Sequence, residues 1–369
     1  MNSFTWVEVT TAEQAVAQLG AARGGPSLLK AGGVDVLDRL KEGLETPQRL
    51  VVLRRVPKST LAEIAEVPAA SLPESITRLL PAGNAGESPK PRDCLRIGTL
   101  VTLAQLAEHP VVARDLPALS GAAAAIATPQ IRGLATLGGN LLQRPRCWYF
   151  RSADYACRKK GGEVCFALDG ENENHALFDN HKCAAVHPSG AAVALSVLDA
   201  IVEIQTATGL RQQRLSAFFV SPSAQGGDVT RENRLEPGEV ITHIYIPRPA
   251  PDERNTYLKI KQKQSFDWPL VEVAVAVKLA SGGAAGAAPL VSAARVALGG
   301  VAPVPWRAKA AEAALLRLQK LDAESLLLVG RAASEGARPL AKNAHKVPLC
   351  QGAVQQAVYQ VLAQKGGDR

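Results

Sequence analysis

Aromatic residues are scarce in this chain of 369 residues: phenylalanine, tryptophan and tyrosine together make up 4% of it, and there is one methionine. A protein that grips single-stranded nucleic acid stacks bases on aromatic platforms beside its basic residues. Here lysine and arginine are scattered and such platforms are missing, so the net charge of +8 is not read as a nucleic-acid footprint. No apolar run approaches the ~20 residues that a membrane span needs. The start, Met1-Asn2-Ser3-Phe4-Thr5-Trp6, lacks the basic and then apolar stretches of a secretory signal. That points to the cytoplasm, or to export in a complex on a partner's signal. There is no G-x-G-x-x-G fingerprint after a strand, and no Walker A sequence. Close C-x2-4-C pairs, which usually fix structural zinc, are missing too.

What is present is enough chain for two or three cores, with 47% apolar residues. Residues 1–56 alternate strand and helix. Thr5 to Val9 reads as a strand, and Thr10 or Thr11 caps a helix from Ala12 to Ala22, with Glu13 or Gln14 three residues on. Ser27 to Ala31 and Leu50 to Leu53 read as further strands around a short helix carrying Val36, Leu37 and Leu40. A second unit, 57–235, has a loop at 81–93, a strand at Leu95 to Leu100, a helix capped by Thr102, and a buried helix within Asp115 to Ala127. Ala192 to Thr206 is strand-like. A third unit, 236–369, opens with Val240 to Ile246 as the first strand of an antiparallel sheet. It passes a Gly/Ala connection at 281–288 and ends in helices at Ala308 to Lys320, Asp322 to Glu335 and Ala353 to Gln364. Residues 143–190 have neither helical nor strand periodicity, and so long an irregular segment inside a domain is usually functional.

Two glycine turns share one character. Lys30-Ala31-Gly32-Gly33-Val34-Asp35-Val36 and Thr136-Leu137-Gly138-Gly139-Asn140 each follow an apolar segment and join two glycines to a small polar residue. Glycines let backbone N–H groups approach an anion closely. A helix starting after Gly33 adds its N-terminal dipole. A diphosphate bridging both turns satisfies both; two ordinary tight turns are the plainer reading of either one alone.

The irregular segment holds four of the six cysteines, Cys147, Cys157, Cys165 and Cys183, spaced C-x9-C-x7-C-x17-C. Four thiolates spread along a loop suit a [4Fe–4S] cube better than zinc. Zinc with help from His175, His181 or His187, disulfides, and free thiols stay open on spacing alone. Cys94 and Cys350 read as buried structural residues. His109, His187, His243 and His345 are scattered and form no catalytic constellation.

Ala31-Gly32-Gly33-Val34-Asp35 and Thr136-Leu137-Gly138-Gly139-Asn140 resemble the two FAD signatures of the medium subunits of molybdenum hydroxylases, the carbon monoxide and xanthine dehydrogenase family. The resemblance covers nearly the whole chain. It implies an α+β fold: a two-part FAD domain of the vanillyl-alcohol-oxidase type, an iron–sulfur insert, and an α+β C-terminal domain. Within the insert, Arg146-Cys147-Trp148-Tyr149-Phe150-Arg151, His175-Ala176-Leu177-Phe178 and Cys183-Ala184-Ala185-Val186-His187-Pro188-Ser189 are similar to a subgroup with an extra [4Fe–4S] cluster. That subgroup includes the FAD subunit of periplasmic aldehyde oxidoreductase and, more loosely, the β subunit of 4-hydroxybenzoyl-CoA reductase.

The resemblance implies FAD on Lys30 to Val36, Thr136, Gly138, Gly139 and Asn140, and a cluster on the four cysteines. It implies two partners, a large subunit with the molybdenum cofactor and a small one with [2Fe–2S] clusters, and an external electron acceptor. Aldehydes are the leading substrates, oxidised in the large subunit; N-heterocycles and hydroxybenzoyl thioesters are alternatives, as is a stand-alone flavin oxidoreductase. Thr136 and Asn140 are expected near the ribityl chain or phosphate. Phe266, Asp267 and Trp268 read first as core and surface, and second as neighbours of the flavin ring. Arg144, Arg146, Arg151, Arg158, Lys159 and Lys160 make a basic run, either solvated or a docking surface. Two positions depart from the family pattern: Val34 stands where Thr or Ser is usual, and Gly190 where Asp is common.

Overall fold

A computed structural model describes residues 3–20, 26–81, 91–280 and 291–364. The expected connection at 281–288 and most of the loop at 81–93 lie outside them.

The first unit is a parallel sheet of β1 (Thr5–Glu8), β2 (Ser27–Lys30) and β3 (Arg49–Val52), in the order β1-β3-β2. Leu50, Val51 and Val52 of the central strand are fully buried, because a parallel strand is covered on both faces. The helices Ala12–Gly20 and Val34–Lys41 make the crossovers. The first starts as its sequence suggests: Thr11 Oγ1 accepts from Gln14 N at 3.2 Å, and Gln14 Oε1 accepts from Thr10 N at 2.9 Å.

The second unit is an antiparallel sheet of β4 (Ile64–Val67), β5 (Cys94–Gly98), β6 (Ile201–Thr206), β7 (Gly209–Arg214) and β8 (Val240–Pro247), ordered β4-β5-β8-β6-β7. β8 therefore does not open the C-terminal sheet, as its place in the sequence suggested. It is the central strand of the second sheet, because its alternating isoleucines Ile244 and Ile246 complete the face formed by Leu95, Ile97, Val202 and Ile204. Helices Leu103–Glu108, Pro110–Asp115, Pro117–Ala125 and Gly190–Leu195 cover that face. The last corrects the reading of Ala192 onward as strand: the strand begins only at Ile201. All six residues of the Gly190–Leu195 helix are buried, and a helix apolar all round shows no helical period.

The third unit is an antiparallel sheet of β9 (Glu253–Ile260), β10 (Val271–Leu279), β11 (Val291–Gly299) and β12 (Trp306–Arg307), ordered β12-β11-β10-β9. Helices Lys309–Leu315, Ala323–Ala333 and Lys346–Ala363 pack on one face. β10 joins the two cores. Its valines Val271, Val273, Val275 and Val277 enter the C-terminal core, while Ala274 and Ala276 face the second unit.

The segment 143–190 is irregular as expected, with short helical turns at Trp148–Arg151 and Arg158–Lys160. Some of its backbone partners come from the third unit. Leu177 N and Phe178 N donate to Val301 O at 2.8 and 3.0 Å, and Phe178 stacks on Trp306. Lys346, fully buried, donates to the carbonyls of Asn174, His175 and Gly300. Among the described residues no helix is long and apolar enough to cross a membrane.

Candidate functional site

A cleft of about 400 Å³ lies where the units meet, within the usual range of ligand sites. The first unit supplies Ala31, Gly32, Gly33, Val34, Asp35 and Val36, and the second supplies Thr136, Gly138, Gly139 and Asn140. So the structure brings both glycine turns to one wall, a hundred residues apart in the chain. Lys30 is the exception among the expected site residues. It does not line the cleft; its Nζ lies over the Trp6 ring at 5.5 Å.

The glycines are there for close approach. A Cβ on Gly32 would collide with the carbonyl of Leu134, and one on Gly138 would stand 2.8 Å from Thr99 Cβ. Gly33 has a φ of 88° and precedes the helix Val34–Lys41, a backbone that favours glycine. That helix begins at the cleft, and its first N–H groups have no partners within the helix.

The second turn is helical. Residues Leu137–Leu141 form a short helix with Thr136 as its cap, and their N–H groups are already used. Leu137 N donates to Val101 O, Gly138 N to Thr99 O, Gly139 N to Thr136 Oγ1 and Asn140 N to Thr136 O. Asn140 Oδ1 accepts from Ser189 Oγ at 2.7 Å. Thr136 Oγ1 and Asn140 Oδ1 are thus partly engaged in building the wall, while both residues still line the cleft.

Asp35 is also committed. Both its oxygens are engaged: Oδ1 by Arg151 Nη2 at 2.8 Å and Arg146 Nη2 at 3.0 Å, Oδ2 by Arg39 Nε at 3.0 Å and Arg144 N at 3.1 Å. Burial opposes its charge, but the Arg151 bond and the charges of Arg39, Arg151 and Arg146 outweigh it and hold the pKa below the ordinary carboxylate value. Val34 presents an apolar side chain to the cleft. At Gly190 a side chain would need its neighbours to shift, since a Cβ would stand 2.7 Å from Glu272 Oε1 and 3.0 Å from the Tyr257 hydroxyl.

Sequence reasoning passed over several lining residues, among them Thr99, Gln143 and Arg146. They carry no glycine signature and reach the cleft only through the fold. Trp268 does line the cleft, half-exposed, with the Arg146 guanidinium 5.0 Å from its ring centre. Phe266 and Asp267 do not line it.

The four cysteines wall one small cavity together with Tyr149, Phe150, Phe166 and other neighbours. Cys157 and Cys165 sit on a tight knuckle, in which Arg158 N donates to Val164 O and Gly162 N to Cys157 O. A hydrogen bond from the Cys183 thiol draws the Cys165 pKa down against the effect of burial; burial pushes Cys147 up to about 11. No free acid is among the walls. The space between the thiols is small, about 10 Å³, and among the described residues no three ligand side chains gather closely enough to hold one metal ion. Of the three histidines considered as extra ligands, His175 is beside a cysteine, with Nε2 3.3 Å from Cys147 Sγ. His181 meets Ser223 and His187 meets Ser189.

The basic run around these cysteines is not a free docking surface. Arg144 binds Glu232 and the Thr230 carbonyl, Lys159 binds Glu232 and the Arg231 carbonyl, and Lys160 binds the Ser152 carbonyl. Arg158 binds the carbonyls of Glu163 and Lys182. The charges staple the irregular segment to itself and to its neighbours.

Residues 88–249 match the family described as the FAD binding domain in molybdopterin dehydrogenase, and residues 256–361 match the CO dehydrogenase flavoprotein C-terminal domain. The aldehyde oxidoreductase FAD-binding subunit PaoB of Escherichia coli is 33% identical, over 99% of this chain and 100% of that protein. The nicotinate dehydrogenase FAD-subunit of Eubacterium barkeri is 23% identical over 77% of this chain and 71% of its own. In fold, a chain of carbon monoxide dehydrogenase from Hydrogenophaga pseudoflava superposes with a TM-score of 0.67, covering 98% of both chains at 24% identity.

Proposed function

This chain belongs to the family of FAD-binding subunits of molybdenum-dependent hydroxylases, an oxidoreductase subunit, and from that premise we propose that it carries both FAD and a [4Fe–4S] cluster and relays electrons from a small [2Fe–2S] partner to an external acceptor. The substrate is oxidised in a large molybdenum-cofactor partner, and aldehydes are the class that the 33%-identical relative suggests. The observation that carries the FAD part is the cleft that both glycine turns line.

The first turn fits a diphosphate: its glycines admit close approach and the Val34–Lys41 helix starts there without a side-chain cap. The Leu137–Leu141 helix lines the same cleft. The cysteine cavity fits an iron–sulfur cluster by donor chemistry, four thiols in a largely apolar setting, rather than by its volume. When bound, FAD would supply two-electron chemistry and the cluster one-electron chemistry. The chain's own residues bind, orient and exclude water.

The test is the visible spectrum and metal content of the purified full-length chain. Flavin bands over a broad iron–sulfur shoulder, with iron lost in Cys157→Ser, are expected. A colourless protein, or iron and sulfide unchanged in that variant, overturns the assignment. Capture from the native host is expected to bring down a large molybdenum subunit and a small iron–sulfur one.

A further inference from the structure

The helix that begins at the proposed diphosphate position carries Asp35 and Asp38, and Glu42 is its C-cap. These positions, three and four residues apart, lie on one helical face. A face so acidic would repel a dianion and oppose the dipole that is meant to attract it. It does not do so here, because the segment 143–151 covers it with arginines. Arg146 binds Asp35 at 3.0 Å and Asp38 at 2.6 Å. Arg151 binds Asp35 at 2.8 Å and Glu42 at 3.1 Å, and also holds the carbonyls of Pro145 and Arg144. The Arg144 backbone adds a fifth link, to Asp35 Oδ2. Arg151 is largely buried, so these are not loose surface pairs.

The same segment ends at the cysteine cavity. Arg146 is the residue before Cys147, and Cys147 opens the turn that contains Arg151. Arg146 also stacks over Trp268 on the cleft's rim. One short stretch of chain thus neutralises the acidic face of the helix at the first glycine turn, holds a ring at the cleft, and carries the first cysteine.

We propose that the cysteine segment and the first glycine turn form one coupled unit, in which a metal cluster on the cysteines holds Arg146 and Arg151 over Asp35, Asp38 and Glu42 and so raises the affinity for FAD. This rests on the function proposed above. By linkage, FAD raises the affinity for the cluster by the same factor. The physical content is charge placement: without Arg146 and Arg151, Arg39 alone is left to offset Asp35 and Asp38 on the helix face next to the first glycine turn. Arg146 and Arg151 act as positioning residues through that face.

The full-length chain stripped of flavin is titrated with FAD, followed by flavin fluorescence, with iron measured in parallel. Cys157→Ser is expected to lose its iron and to bind FAD at least tenfold more weakly than wild type. Arg146→Met is expected to bind FAD at least tenfold more weakly while the protein stays folded by circular dichroism. Adding Asp38→Asn to Arg146→Met removes the carboxylate that Arg146 covers, and is expected to restore most of the lost affinity. A merely structural role for Arg146 would not be rescued by that second change. Arg78→Met serves as control, since it pairs with Glu74 on the surface and lines neither the cleft nor the cysteine cavity. Unchanged FAD affinity in Cys157→Ser, or no rescue by Asp38→Asn, overturns the coupling. If wild type itself binds no FAD, the proposed function fails instead. If wild type binds FAD but never iron, the cluster's part in the coupling is overturned and the Asp38→Asn rescue alone decides the arginines' part.

Discussion

At the residue scale, chemistry here is mostly spent on shaping backbone. Asp35 follows a glycine pair and lines the cleft, yet both its oxygens face arginines. Thr136 caps a helix, and Asn140 is a partner for Ser189. Gly32 has a plainer task. Its Cα faces the Leu134 carbonyl so closely that a Cβ cannot be accommodated between them. Gly32→Ala must push the two turns apart, and overpacking of this kind typically costs about 1–3 kcal/mol. The variant is expected to unfold at lower urea and to retain little flavin after gel filtration. Wild-type flavin content in Gly32→Ala would show that the turns need not touch.

At the scale of elements, the short Leu137–Leu141 helix is the least self-sufficient part of the site. Two of its five residues are glycines, which disfavour helix, and five residues are far below the length at which a helix holds itself. Three things hold it: the Thr136 cap on Gly139 N at 3.1 Å, and the bonds from Leu137 N and Gly138 N to the carbonyls of Val101 and Thr99. Thr136→Val keeps the shape and removes the acceptor. It is expected to cost about 1 kcal/mol, the usual worth of an N-cap, read as a lower unfolding midpoint. Thr136→Ser, which keeps the hydroxyl, is expected to behave as wild type. Equal losses in both would point to packing of the methyl group instead of the cap.

At the scale of the whole molecule, the irregular segment is a wedge between units. It reaches the first unit through Arg146 and Arg151, and the third through Val301, Asn343 and Lys346. Burial lowers the Lys346 pKa from 10.5 to about 7, with Cys350 working weakly the other way. The sign follows from proton counting. Between about pH 7 and the ordinary lysine value of 10.5 the unfolded chain holds a proton that the folded chain does not. Stability owed to Lys346 therefore rises with pH across that window. Lys346→Met removes this slope. It also removes the donor from the carbonyls of Asn174 and Gly300, while His175 O keeps Asn343 Nδ2, at a cost of about 1–3 kcal/mol for each group left unsatisfied. Urea titrations of both proteins at several pH values within the window measure both effects; parallel curves would mean that Lys346 titrates normally.

The amino-acid sequence by itself determined the local parts. The strands of the first unit, the Thr102 and Thr11 caps and the C-terminal helices follow from periodicity and cap chemistry, which act over a few residues. The glycine pairs and the four cysteines are legible for the same reason, and the family follows from them. Only the tertiary structure decided which strand β8 joins, because side-chain alternation names a buried face but not its partner. It alone turned Gly190–Leu195 into helix, since a fully buried segment carries no period to read. It alone showed that Asp35 answers to arginines a hundred residues away, and that the basic run is internal stapling. Those are pairings between distant segments, and charge in a sequence has a sign but no direction.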